Sequence, residues 1–119
     1  ASMKDASAYL KHIRESIAKI EKYTEGGRKT FFEDTMIQDS VIRNLEIIGE
    51  AARNLPVDLR KSYPKVPWRS ITGMRNVLIH EYFGVDLDIV WKVVVQRLPV
   101  LKSHVTVMLA KSKRSKKKA

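Results

Sequence analysis

Apolar residues recur every three or four positions over three long stretches of this chain, the spacing of residues that share one face of an α-helix. The first predicted helix covers residues 3–24 and ends before Gly26-Gly27. The second ends near Asn54, and the last begins after Asp86, a typical N-cap residue. The apolar positions are Met3, Ala6, Leu10, Ile13, Ile17 and Ile20 in the first stretch, Ile37, Val41, Leu45, Ile48, Ala52 and Leu55 in the second, and Leu87, Trp91, Val94, Leu98, Leu101, Val105 and Met108 in the last.

A fourth, shorter helix is predicted between the second and the last of these stretches. Residues 56–67 contain three prolines and are expected to form a connector, with one short helical turn at "VDLRKS" (57–62). The shorter helix then runs from Trp68 to Phe83 and ends at Gly84. No strand pattern lies beside these helices, so the sequence predicts an all-α fold, an antiparallel bundle of four main helices in one domain over residues 3–110.

The last predicted helix carries more apolar residues than one core-facing stripe needs. Pro99 falls inside this helix and is expected to bend it, because proline removes one backbone donor. The additional apolar residues either pack within the bundle or form an interface between subunits, and we favour a homodimer. They are Ile89, Val93, Val100 and Val107.

The formal net charge of +10 is concentrated at the end of the chain. The last nine residues, "KSKRSKKKA" (111–119), hold six lysines or arginines and no acidic residue, which leaves 10 − 6 = +4 for the remainder. We expect this segment to be a disordered tail. It either contacts nucleic acid weakly and in a salt-dependent way or only keeps the protein in solution.

Composition also excludes some classes of protein. The chain has no cysteine, which removes disulfides and thiolate chemistry. Its first residues are mixed and charged, without a signal-peptide pattern, and no uninterrupted apolar run approaches the roughly 18–20 residues of a membrane span. We therefore expect a cytoplasmic protein without a membrane partner.

The shorter predicted helix, from Trp68 to Phe83, contains an unusual set of polar side chains in "RNVLIHEY" (75–82). A histidine can take and return a proton near neutral pH, and an arginine can bind a phosphate and stabilise its developing charge. His80 and Arg75, with Asn76 and Arg69 to position the substrate, would suffice for RNA cleavage in which a base activates the 2′-hydroxyl. On an ideal helix Arg75 and His80 lie about 140° apart, which favours a composite site in a dimer cleft.

We predict no metal and no cofactor. The three histidines are far apart in the sequence, and none has a ligand-type residue four positions later. A structural interpretation also stands beside the catalytic one. His80 would then interact with a helix end, Arg75 would pair with an acid, and Tyr82 would be half-packed at the helix border. Glu46 and Glu50 are like charges one helical turn apart, and we expect Arg43 and Arg53 of the same helix to pair with them. A link across helices to the region of Arg75 stays open.

The motif Arg-x4-His-x-Tyr in "RNVLIHEY" resembles the signature of HEPN-domain proteins, specifically the HepT-like toxins of prokaryotic toxin–antitoxin pairs. "IIGEAARNLP" (47–56) is similar to the second-helix segment of that family. "YPKVPWRSITGMRNVLIHEYFGVDLDIVW" (63–91) is similar to its central block. Together with the helix order, the resemblance covers most of residues 4–110.

This resemblance implies a helical-bundle homodimer with the motif in the cleft between protomers. It implies a metal-independent endoribonuclease, the toxin of a type VII HEPN/MNT system, that requires Arg75 and His80, with Asn76 in support. It further implies a minimal nucleotidyltransferase antitoxin that neutralises the toxin by transferring AMP to Tyr82. The alternative is a non-catalytic module that binds the nucleotidyltransferase or a nucleotide. A third interpretation is a nucleic-acid-binding bundle that depends on the basic tail.

Overall fold

The computed structural model describes residues 3–80 and 84–118 of the chain. Three long helices form the body, and shorter elements connect them in a molecule of 50 × 29 × 20 Å. The helices are α1 (Met3–Tyr23), α2 (Gly27–Glu33), α3 (Thr35–Arg53), α4 (Val57–Lys61), α5 (Trp68–Thr72), α6 (Met74–Leu78), α7 (Leu87–Lys92) and α8 (Leu98–Lys118), with a π-helical segment at Val93–Arg97 and two short strands, β1 (Ile79–His80) and β2 (Gly84–Val85).

The core lies where α1 packs against α3 and α8. The apolar stripes that the sequence predicts for these helices face that core, apart from Met3, whose side chain is outside the description. The prediction of an all-α helical bundle is therefore confirmed, and the predicted turn at 57–62 is helix α4. The buried stripe residues include Leu10, Ile13, Ile17 and Ile20 of α1, Val41, Leu45, Ile48 and Ala52 of α3, and Leu98, Leu101, Val105 and Met108 of α8.

The segment between the first two predicted helices forms a helix of its own. Phe31 of α2 is completely buried, with its ring centroid 5.3 Å from that of Trp91. Helix α3 then begins after Asp34, whose carboxylate accepts hydrogen bonds from the backbone N–H groups of Met36 and Ile37 at 2.9 and 3.2 Å. The seven residues of α2 are too few for a helical period to be recognised in the sequence.

The predicted helix from Trp68 to Phe83 is wrong in its length and continuity. It is interrupted at Gly73, whose backbone N–H donates to the Arg69 carbonyl at 3.0 Å, and its second part ends at Leu78. Ile79 and His80 form β1, which pairs antiparallel with Gly84 and Val85 of β2. Gly84 adopts a positive φ of 77°, which glycine tolerates without strain. Strands of two residues leave no periodic pattern, so the sequence did not indicate them, and the all-α class is unchanged.

The last predicted helix begins where the sequence places it. The Asp86 carboxylate accepts hydrogen bonds from the backbone N–H groups of Asp88 and Ile89 at 3.0 and 3.3 Å. A π-helical turn directly precedes Pro99, and the Leu98 N–H bonds to the Val93 carbonyl five residues earlier. Proline cannot donate to the helix and its ring clashes with the preceding turn, so a widened turn accommodates it.

The second apolar face of this helix is only partly used within the bundle. Val93 is buried and Ile89 is packed against the core. Val100 and Val107 remain 51% and 46% exposed, and Val95 is 51% exposed. This leaves apolar surface for a partner subunit, and the homodimer stays a prediction.

The end of the chain continues the last helix. Residues 111–118 have helical backbone, where the sequence indicated a disordered tail, and Ser112 is buried. Lysine is a good helix former, and adding residues to an existing helix needs no new nucleus. The domain boundary at residue 110 stays a prediction.

One helical stretch, Leu87–Ser112, is long and apolar enough to cross a membrane by length and composition alone. The same stretch supplies core residues such as Val90, Leu101 and Val105. Core helices of water-soluble bundles have this composition too, so the absence of a membrane partner stays a prediction.

Replacing Phe31 with alanine should lower the free energy of unfolding by about 3–5 kcal/mol, because a completely buried aromatic side chain would leave a cavity. Met36→Ala is the control, since Met36 is 79% exposed and its loss should change stability by less than about 0.5 kcal/mol. Urea denaturation followed by circular dichroism measures both. Equal stability of the two variants would contradict the packing described for α2.

Candidate active site

A cavity of about 330 Å³ lies among α1, α3 and the junction of α5 with α6. Arg75, the arginine of the predicted motif, is part of its wall. Most of the other walls come from α3, because residues three and four positions apart share one helix face. The residues that line the cavity are Tyr9 and His12 of α1, Arg43, Glu46, Ile47, Gly49, Glu50, Ala51 and Arg53 of α3, Asn54, and Thr72, Met74 and Arg75.

The cavity has an apolar floor and a charged rim. Met74 and Ala51 are 5% and 6% exposed and Gly49 is buried, whereas the charged residues of α3 are exposed. Three arginines and two glutamates line it, which gives a net charge of 3 − 2 = +1 with His12 neutral. Such a cavity suits a ligand with an apolar face and an anionic group.

Close packing at Gly49 positions this wall. A Cβ atom on residue 49 would lie 2.9 Å from the Ile71 carbonyl oxygen and 3.1 Å from the Cβ of Met74. The absence of a side chain therefore lets the α5–α6 junction lie directly on α3. Arg75 immediately follows Met74, so this contact brings the motif arginine to the cavity.

An arginine of α3 holds the same junction from the side. The Arg53 guanidinium donates to the Thr72 carbonyl oxygen at 2.8 Å and pairs with Glu50 at 3.2 Å. Both members of the ion pair are more than half exposed, so the pair itself contributes little to stability. Its structural consequence is to connect α3 to the C-terminal end of α5. The prediction that arginines of the same helix answer the glutamates is confirmed for Glu50.

The structure describes the side chains of two of the four remaining predicted site residues, the backbone alone of a third, and nothing of the fourth. Asn76 of α6 and Arg69 of α5 are exposed, and neither lines the cavity. His80 lies in β1, opposite Gly84, and its side chain is outside the description. Tyr82 lies outside the described residues altogether. The roles of these four residues stay predictions.

The angle of about 140° between Arg75 and His80 does not apply to this structure. Helix α6 ends at Leu78, so His80 is on extended backbone after the helix. Regular helix geometry had favoured a composite site in a dimer cleft, and that argument no longer holds. Gly73, expected to leave room beside His80, instead interrupts the helix before Arg75.

Several residues of the cavity were not recognised as site residues in the sequence. Tyr9 and His12 are three positions apart on α1, and Arg43, Glu46 and Glu50 form a second, polar stripe on α3. The polar stripe is visible in the sequence, but charged helix faces are usually only solvated. What distinguishes this one is the packing of α1 and α6 against its borders. Within the residues that the structure describes, no three histidine or acidic side chains come together as metal ligands.

Comparison with known proteins assigns the chain to a family of helical ribonuclease-like proteins. The model of the family described as "Ribonuclease HepT-like" matches residues 13–108, and the chain belongs to this family. The matched region includes α3, the cavity residues from Arg43 to Arg75, and the first half of α8, whereas Tyr9 and His12 of the cavity lie before it.

Curated relatives agree with this assignment. "Putative RNase TTE0752" of Caldanaerobacter subterraneus subsp. tengcongensis is 42% identical over 93% of this chain and all of its own length. "Probable ribonuclease HepT" of Thermococcus cleftensis is 47% identical over 79% of this chain and 86% of its own. "Gamma-glutamylcyclotransferase and putative RNase MJ0434" of Methanocaldococcus jannaschii is 48% identical over 86% of this chain, which spans about half, 46%, of that relative's length. No solved structure matches the chain.

Replacing Gly49 with alanine should lower the free energy of unfolding by about 1–3 kcal/mol, because the new Cβ overlaps the Ile71 carbonyl. A glycine-to-alanine change inside an ordinary helix has the opposite sign and raises it by roughly 0.5–1 kcal/mol. Asp39→Ala, at an exposed position of the same helix, is the control. Thermal denaturation of the wild type, G49A and D39A measures their stabilities. A G49A variant more stable than the wild type would contradict the close contact.

Proposed function

We propose that this protein is the ribonuclease toxin of a HEPN/MNT toxin–antitoxin pair, of the class called type VII. Its activity is endonucleolytic cleavage of RNA without a metal or other cofactor. Membership of the HepT-like family supports this proposal. The observation that carries it at the level of the site is Arg75, the motif arginine, in the wall of a cavity with arginines on its rim.

In the proposed reaction His80 acts as the base that takes the proton of a ribose 2′-hydroxyl. The 2′-oxygen forms a bond to the adjacent phosphorus, and the bond from phosphorus to the 5′-oxygen of the next nucleotide breaks. That leaving oxygen takes up a proton, either from the protonated His80 or from water while His80 releases its proton to solvent, and the products are a 2′,3′-cyclic phosphate and a 5′-hydroxyl end. Arg75 binds the phosphate and stabilises the charge that develops on its oxygens. Asn76 and Arg69 position the RNA.

Regulation follows from the motif tyrosine. A minimal nucleotidyltransferase antitoxin transfers AMP from ATP to the phenolic oxygen of Tyr82, and pyrophosphate leaves. The added group is bulky and anionic, so it competes with the RNA phosphate for Arg75. The active species is a cytoplasmic homodimer. Its second subunit packs on the exposed valines of the last helix, Val100 and Val107.

A second candidate is a module that binds a nucleotide or the nucleotidyltransferase without cleaving RNA. The specific observation in its favour is the cavity itself, which can hold a phosphate-bearing ligand beside Arg43, Arg53 and Arg75 whether or not a reaction follows. Cleavage assays on defined variants separate the two candidates.

The His80→Ala and Arg75→Ala variants should each lose about 10²–10⁴-fold in the rate of RNA cleavage, because each removes a group that acts in the transition state. RNA cleavage by the full-length chain is measured in EDTA, after intact mass spectrometry has established that Tyr82 carries no AMP. His104→Ala, which removes a histidine of α8 that does not line the cavity, should retain full activity.

The two candidates differ in how these variants behave. A ribonuclease loses cleavage in H80A while it still binds RNA. An unmodified wild-type protein that binds its partner but cleaves none of a range of RNAs would overturn the ribonuclease proposal. It would leave the docking module in its place.

Incubation with the nucleotidyltransferase, ATP and Mg²⁺ should add the mass of AMP to the wild-type chain and abolish its RNA cleavage. Tyr82→Phe should gain no mass and remain active, because it lacks the phenolic oxygen. Tyr23→Phe is the matched control, since Tyr23 is 37% exposed and far along the chain from the motif. Addition of AMP to Y82F would contradict the assignment. Addition of AMP to Y23F at a residue other than the one modified in the wild type would also contradict it.

A further inference from the structure

We propose that the cavity among α1, α3 and α6 binds one guanine base of the RNA, and that Glu46 selects it. This inference rests on the proposed function, because it places the base beside the phosphate that Arg75 binds. It adds a substrate preference that the motif residues alone do not specify. The selecting residue lies on α3, away from the motif.

The shape of the cavity fits a planar base. Its volume of about 330 Å³ is at the lower end of the range, about 300–1,000 Å³, in which small-molecule sites fall. Met74, Ala51 and Gly49 provide an apolar floor. Tyr9, half-buried on α1, is an aromatic residue of the same lining. Unpaired RNA bases are commonly bound by stacking on such rings while polar groups contact their edges.

Glu46 is a carboxylate of this cavity that can accept hydrogen bonds from a ligand. Its neighbour Glu50, one turn later on α3, is paired with Arg53 at 3.2 Å. Glu46 makes no ion pair with any residue that the structure describes, although it lies on the same rim. A carboxylate is an acceptor only, so its two oxygens need two donors side by side.

Guanine is the base that meets this requirement. Its N1–H and its 2-amino group lie next to each other on the Watson–Crick edge. Adenine and cytosine present an amino group beside a ring acceptor, and uracil presents one N–H between two carbonyls. Each of these three bases would direct an acceptor at a carboxylate oxygen. The loss of one such pair of hydrogen bonds costs enough binding free energy to discriminate between bases.

The arginines complete the recognition. Arg43 lies three residues before Glu46 on the same face of α3, and arginine donates to the O6 and N7 acceptors of guanine. Arg75 of α6 lines the same cavity and is exposed, so it can bind the phosphate beside the base. A base in the cavity and a phosphate at Arg75 are the two parts of one nucleotide unit.

The test measures binding, independently of cleavage. Calorimetric titration of the unmodified, full-length protein with the four nucleoside 3′,5′-bisphosphates compares bases that carry a phosphate on both sides. We expect the guanosine compound to bind at least about 10-fold more tightly than the uridine compound. In Glu46→Gln this ratio should fall to about 2–3-fold, because the amide presents one acceptor and one donor. The ratio is used because removal of a negative charge will tighten binding of every anion.

Glu33→Gln is the matched control, an exposed glutamate of α2 that does not line the cavity, and it should keep the wild-type ratio. Equal affinity for the four compounds, no binding at millimolar concentration, or the same loss of preference in E33Q would overturn the inference. RNA cleavage without base preference, together with equal affinities, leaves the ribonuclease proposal standing. Selective binding of guanosine without any cleavage overturns the ribonuclease proposal and keeps the guanine site.

Discussion

Helix α3 can support both the core and the candidate site because it is packed on two sides. One face carries the buried residues that contact α1, and a neighbouring face carries the charged rim of the cavity. Gly49 lies at the border, where the Ile71 carbonyl approaches so closely that any side chain would overlap it. This approach fixes the α5–α6 junction against α3. The position of Arg75 depends on it, since Arg75 follows the junction by two residues.

The charges around the cavity are arranged for a ligand of mixed character. Arginines alone would favour any polyanion, and their effect would fall with salt. Here Arg43 and Arg53 flank Glu46 and Glu50 along one helix face, and Glu50 is already paired with Arg53. In the proposed complex the base contacts the apolar floor and Glu46, and Arg75 binds the phosphate.

The C-terminal half of the bundle accommodates a proline inside its longest apolar stretch. Pro99 cannot donate a backbone hydrogen bond to the preceding turn, and the π-helical segment Val93–Arg97 accommodates this. Helix α8 continues beyond the proline and completes the core. Widening the turn also changes which residues face inward after it. Val93, the first residue of the π-helical segment, is buried, whereas Val95 within the segment is 51% exposed. Val100 and Val107, which lie off the main apolar stripe in the sequence, are exposed after the turn.

Much of the candidate site could be anticipated from the sequence, and part of it could not. The motif indicated Arg75, and the family resemblance, now supported by the match over residues 13–108, gave it a role. The contributions of Tyr9, His12 and Arg43 were not anticipated. Each is an ordinary polar residue of an amphipathic helix until another helix is packed beside it. A contact between residues some 60 positions apart has no local signature in one sequence.

The sequence by itself determined the helices whose apolar residues repeat over many turns, the cap at Asp86, and most residues of the core. These features depend on local geometry and on burial, which a periodic pattern records. Only the tertiary structure decided where the shorter helices end. Trp68–Leu78 is interrupted at Gly73, and β1 pairs with β2, because short segments take the conformation that their neighbours allow. The cavity beside Arg75 also depends on the tertiary structure, because its wall forms where α3 approaches the α5–α6 junction closely at Gly49.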